Sequence, residues 1–98
     1  MIDAPQVRQD PGASRFVYAD AGVEAELMYR LRDGRLVLVH TGVPPELEGQ
    51  GVGGRLVTAA IECAAAQGLT VVPSCPFARS WLERHPEAAA RVRIDAPA

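Results

Sequence analysis

A glycine-rich turn, a cysteine and a histidine are the residues of this chain best suited to chemistry. Gly49-Gln50-Gly51-Val52-Gly53-Gly54 leads into an apolar run of helical period. The first backbone N–H groups of a helix lack partners, and glycine, having no Cβ, lets phosphate oxygens approach them closely. Cys75 directly precedes Pro76, a residue suited to the first turn of a helix. Its sulfur therefore also stands at a positive helix end, which favours a thiolate. Two readings follow for Cys75: a nucleophile or thiol acid, and a small buried residue closing a helix. His40 lies in an apolar strand pattern and is either a general base or a packed structural histidine. Cys63 falls on an apolar helical stripe and reads as core, while the helix dipole suffices to explain His85 near a helix end.

Two nucleotide motifs are tested first against the glycine turn. Gly49-x-Gly51-x-x-Gly54 spells the dinucleotide fingerprint, but Pro44 to Glu48 separate it from the preceding strand, where the fingerprint would follow directly. The next strand pattern, Leu69–Val72, ends in Pro73-Ser74 with no acidic residue for a ribose hydroxyl. A P-loop is excluded because no Gly-Lys-Ser/Thr follows the glycines.

The elements that must hold these residues are legible from period and punctuation. Arg15–Asp20 and Val23–Arg32 read as strands; in the second, Ala25, Leu27, Tyr29 and Leu31 alternate with Glu24, Glu26, Met28 and Arg30. Asp33-Gly34 is a hairpin signal leading into a third strand, Arg35–Val43, which Pro44-Pro45 ends. The helix is expected over Val52–Gln67, with Val52, Leu56, Ala59, Ala60 and Cys63 on its apolar stripe and Gly68 closing it. Leu69–Val72 reads as a buried strand, giving a right-handed parallel βαβ unit. A second helix begins at Pro76, capped by Ser74 or Cys75, and turns Phe77, Trp81 and Leu82 inward; a helical turn and a last strand at Arg91–Ile94 complete the pattern. The fold class is thus α/β (α+β), an antiparallel meander followed by a βαβ unit and a C-terminal helix.

Length and composition set the bounds. Ninety-eight residues make one domain, read as a flexible arm over residues 1–13 and a single folded unit over 14–98. Hydrophobic residues are 48% of the chain, enough for a core. A net charge of −2 with no dense basic run argues against nucleic acid as a partner. No apolar run approaches the roughly 20 residues of a membrane span, and no signal-peptide pattern opens the chain, so a cytoplasmic protein with reduced thiols is expected. Two cysteines without metal-ligand spacing predict no metal site.

The segment Glu48-Gly49-Gln50-Gly51-Val52-Gly53 resembles the acetyl-CoA pyrophosphate loop of the GNAT N-acetyltransferases, Arg/Gln-x-x-Gly-x-Gly/Ala, with Glu48 departing at its first position. His40-Thr41-Gly42-Val43-Pro44 and Pro73-Ser74-Cys75-Pro76, followed by Glu83-Arg84-His85-Pro86, resemble recurring features of the small GNAT-like domain subfamily. The resemblance spans roughly residues 15–90 and implies acyl transfer from acetyl-CoA to an amine of a small molecule or protein. It implies a cofactor site at Gly49, Gln50, Gly51, Val52, Gly53, Gly54 and Arg55, with Thr41 on the pantetheine or the sheet. The Val43 backbone would meet the thioester carbonyl, and the pantetheine would enter a gap between His40–Val43 and Leu69–Val72. Cys75 and His40 are the catalytic candidates. Glu48 would repel a pyrophosphate and weaken binding, with Arg55 compensating. The tyrosine that many GNAT enzymes use to protonate the leaving thiolate is replaced by Trp81, a poor acid. So short a chain implies an open acceptor site, on a monomer or completed by a partner. A CoA-binding module without turnover is the alternative.

Overall fold

The structure is a computed structural model and describes residues 7–96. The strands are β1 (Val7–Asp10), β2 (Arg15–Asp20), β3 (Val23–Arg32), β4 (Arg35–Gly42) and β5 (Thr70–Pro73); the helices are α1 (Val52–Gln67), α2 (Pro76–Arg84) and α3 (Pro86–Ala89). They form one five-stranded sheet in sequential order, antiparallel from β1 to β4 and parallel between β4 and β5. The β3–β4 hairpin turns through Asp33 and Gly34 at φ 51° and 75°, the paired positive values of a two-residue hairpin whose twist suits its strands. The parallel step needs the crossover helix α1, because a short hairpin cannot join parallel strands.

Alternation decides which sheet face is covered. Phe16, Tyr18, Ala25, Leu27, Tyr29, Leu36 and Leu38 face one side and pack on Leu56, Val57, Ala60, Ile61 and Ala64 of α1. The opposite face carries Arg15, Glu24, Glu26 and the 40%-exposed Met28. Arg15 ties that face together, with Glu26 at 2.9 Å and Asp10 and Glu24 at 3.6 Å.

Four expectations need correction. The arm expected over residues 1–13 is a strand over Val7–Asp10, held because all four residues pair with β2 between Val7↔Tyr18 and Asp10↔Arg15; residues 1–6 lie outside the described residues. The last strand shrinks to one parallel bridge, Val71↔Ile94, since the chain meets β5 only where Val71 donates to Arg93 O and accepts from Asp95 N. Leu31 is exposed, as β3 there outruns the helix layer. Cys63 sits at the edge of the core, its Sγ 3.3 Å from Gln67 Nε2; partial burial pushes its thiol up, against a weak Gln9 contact.

Candidate functional site

The site grows from a surplus residue in β4. Met28 pairs with His40, yet Tyr29, the next residue of β3, pairs with Leu38, so Val39 bulges out unpaired. Directly opposed residues share a face, so Thr41 lies with its partner Leu27 on the helix-covered side and His40 lies with Met28 on the other. The His40 ring is accordingly near Gly42 and Glu26, away from the glycine turn. His40, a candidate base in the sequence, does not join the other candidates.

Beyond Leu38 the two parallel strands part. The ladder runs from Arg35↔Thr70 to Leu38↔Pro73, and its last bond is Cys75 N–H to Leu38 O at 2.8 Å. The expected gap between His40–Val43 and Leu69–Val72 is therefore shifted. Residues 39–42 of β4 lie past the end of β5, because Pro73 has no N–H for the ladder and the chain turns into α2. Cys75 stands at that junction, its N–H in the sheet and its carbonyl accepting from Arg79 N in the helix. Its thiol is 3.2 Å from Thr41 Oγ1, and the residue is only 3% exposed.

In front of Thr41 opens a cleft of about 1180 Å³. Thr41, Val43, the glycine turn, Arg55, Glu62, Arg84 and His85 are among the residues that line it. Cys75 is not on its wall. Gly51 is the N-cap of α1 at φ 74°, and the first helical bond is Arg55 N–H to Gly51 O. The N–H groups of Val52, Gly53 and Gly54 thus precede the helical ladder, as an anion site requires. Val52 is buried at this turn, while Gln50 turns its amide back to Glu46 O at 3.1 Å and braces the loop. Arg55 reaches over the Tyr18 ring, 5.8 Å from its centroid.

The four glycines serve two purposes. Gly49 and Gly51 have positive φ and open space around a Cβ, so they are conformational. Gly51→Val should cost roughly 1–2 kcal/mol from the left-handed backbone alone; an unchanged urea midpoint would show that this cap geometry is absent in solution. Gly53 and Gly54 are packing glycines: a Cβ there would meet Phe77 Cζ at 2.5 Å and Trp81 Nε1 at 2.6 Å. This corrects the inward placement of Phe77, which is 39% exposed and lies over Gly53 on the cleft wall beside Trp81. Residue type alone did not separate the two glycine pairs, but the Phe77/Trp81 spacing of one helical turn was a usable signal.

A second, smaller hollow of about 470 Å³ lies at Arg15, Glu24, Glu26, Gly42, Val43 and Pro44. Val43 lines both hollows. Among the described residues no cluster of His, Cys, Asp and Glu could hold a metal, and no helix is long and apolar enough to cross a membrane.

Comparison with known proteins bears on the fold and the family. The solution structure of a GCN5-like protein from Staphylococcus aureus is 30% identical and superposes with a TM-score of 0.74, over 99% of this chain and 94% of that one. Residues 15–92 match the family described as GCN5-related N-acetyl-transferase. The chain therefore belongs to the GCN5-related N-acetyltransferase family.

Proposed function

We propose that the protein is an acetyl-CoA-dependent N-acetyltransferase acting on an amine of a small molecule or protein. The observation that carries this is one continuous cleft joining the unpartnered N–H groups of α1 to the Thr41–Cys75 pair. The pyrophosphate would sit on Val52–Gly54 N–H, with Arg55 beside it and the pantetheine running past Val43 toward Thr41. The acceptor amine, drawn in by Glu24 and Glu26 and attacking the thioester carbonyl from the second hollow in its neutral form, would give up its proton to a carboxylate of that pair. Collapse of the tetrahedral adduct breaks the C–S bond and leaves a thiolate. Thr41 O–H protonates that thiolate and is reprotonated by Cys75 S–H, so the charge ends on Cys75. This relay takes the place of the missing tyrosine. Free Cys63 and Cys75 fit a reducing compartment, and we place the protein in the cytoplasm.

An isotope-edited NMR titration with acetyl-CoA, followed by an assay of CoA release over an amine panel, tests this reading. Shifts at Val43 and Val52–Gly54 together with release are expected; immobile glycine-turn amides at saturating ligand would end it. A second reading, binding without turnover, is favoured by Glu48, an acidic residue lining the cleft. Shifts without release from any amine would select it. On either reading Glu48→Gln removes an exposed like charge, worth about 0.3–1 kcal/mol at a helix start, so acetyl-CoA should bind about two- to fivefold tighter. The gain should shrink in high salt, and an unchanged Kd at low salt would place the phosphates elsewhere.

A further inference from the structure

The sheet face turned away from the helices is uncovered, and β3 carries an ordered charge pattern along it. Ala25, Leu27 and Tyr29 are buried against the helices, so alternation puts Glu24, Glu26, Met28, Arg30 and Arg32 on the open side. That side is therefore acidic at one end of the strand, apolar in the middle and basic at the other. The bulge of β4 widens the apolar middle. Val39 follows the buried Leu38 and His40 pairs with Met28, so both point outward, and Met28 and Val39 are exposed.

Neither charged end is neutralised within the chain. Arg15 is one cation among three carboxylates, Asp10, Glu24 and Glu26. At the other end Asp95 holds Arg35 at 3.3 Å, while Arg30 and Arg32 have no ion-pair partner among the described residues. Asp33 shares a hollow with Arg32 and Arg35, and the arginines still leave this end positive.

Such a pattern is complementary to itself. A two-fold axis across β3 at Met28 sets the strand of a second copy antiparallel to the first. Glu24 and Arg32 lie at equal distances from Met28, about 14 Å along the strand, so Glu24 faces Arg32 of the second copy and Glu26 faces Arg30. Each pairing occurs twice. The parallel arrangement would set like charges on like. Arg15 is level with Met28 and falls near the axis, where its own carboxylates already engage it. Ten residues of β3 and five strands give a face on the order of 30 × 20 Å, which suits a weak, reversible dimer.

We propose that this face docks on a second copy of the chain, β3 antiparallel on β3. Arg30 and Arg32 of one copy then sit on Glu26 and Glu24 of the other and close the second hollow. A cationic acceptor and a second copy compete for the same two carboxylates, and the monomer is the open form. The dimer stands without the acyl-transfer reading; the competition rests on it.

Sedimentation velocity from micromolar to millimolar protein should show a monomer–dimer equilibrium that weakens in high salt. Arg32→Glu sets like charges opposite each other twice and should weaken the dimer roughly tenfold or more, as should Glu24→Arg. The double swap Glu24→Arg/Arg32→Glu restores opposite charges and should recover the dimer. A monomer at every concentration, or a double swap no better than its parents, would overturn the proposal. Should Glu24→Arg not fold, Arg32→Glu and the salt series decide, and a dimer indifferent to both would overturn it. Closure of the hollow is read from the Gly42 and Val43 amides, which should shift with concentration in the unaltered chain and stay still in Arg32→Glu; shifts absent from both would overturn the closure. CoA release per chain with a cationic amine should fall as the dimer forms. No release at any concentration would instead end the acyl-transfer reading and leave the sedimentation and amide results to judge the dimer.

Discussion

Thr41→Val is expected to lower kcat for amine acetylation about 100-fold, the low end of what positioned proton transfer contributes, with little change in acetyl-CoA affinity. Valine keeps the shape of threonine and removes only the hydroxyl that links the cleft to the Cys75 thiol. Cys75→Ala should have an effect of the same size, because it takes the proton source from the same relay. The combination is the informative variant. Two residues acting as one unit are strongly non-additive, so the double substitution should be no slower than either single one. Independent roles would multiply, giving about a 10⁴-fold loss from two factors at the lower limit of this range. Thr41→Ser, which restores the hydroxyl, should recover most of the rate. An unchanged kcat in Thr41→Val would remove the relay from the mechanism.

Leu56→Ala should cost about 2–5 kcal/mol, since Leu56 is wholly buried between the first turns of α1 and the sheet. That is a large part of the roughly 5–15 kcal/mol that holds a domain of this kind together. The same variant measures ligand linkage. A ligand that binds only the folded chain restores about 2.7 kcal/mol at a hundredfold excess over its Kd. Urea unfolding of Leu56→Ala with and without acetyl-CoA should show that recovery. A midpoint indifferent to acetyl-CoA would mean that the folded protein does not bind it.

The sheet and helices were legible because their signals are local. Alternation marked β2 and β3, Asp33-Gly34 marked the hairpin, and the glycines at both ends of α1 gave its bounds. β1 is not legible because a four-residue strand between prolines has too little pattern, and its stability comes from pairing with distant β2. The site was legible in its parts but not in its geometry. The cluster Gly49–Gly54 was visible, yet nothing in sequence distinguished the two glycines that free the backbone from the two that admit aromatic rings. Cys75 stands out in the sequence for its helix start, whereas its burial behind Thr41 depends on where β4 ends relative to β5. His40 and Thr41 stood as adjacent candidates, and strict alternation would have turned His40 to the same side as Leu38. Only the unpaired Val39 gives Thr41 that side.

That surplus residue makes β4 a strand with two possible phases. Deleting Val39 should leave Thr41 opposite Leu27 and merely straighten the strand, since the remaining pairs are already in step. Moving the surplus past Thr41 would have the opposite result, turning the imidazole of His40 toward the cleft and the hydroxyl of Thr41 toward the acidic face. No substitution is involved, only a slip of the backbone. An engineer wishing to exchange a hydroxyl for an imidazole here needs to relocate one kink, because the alternative group is already encoded next door.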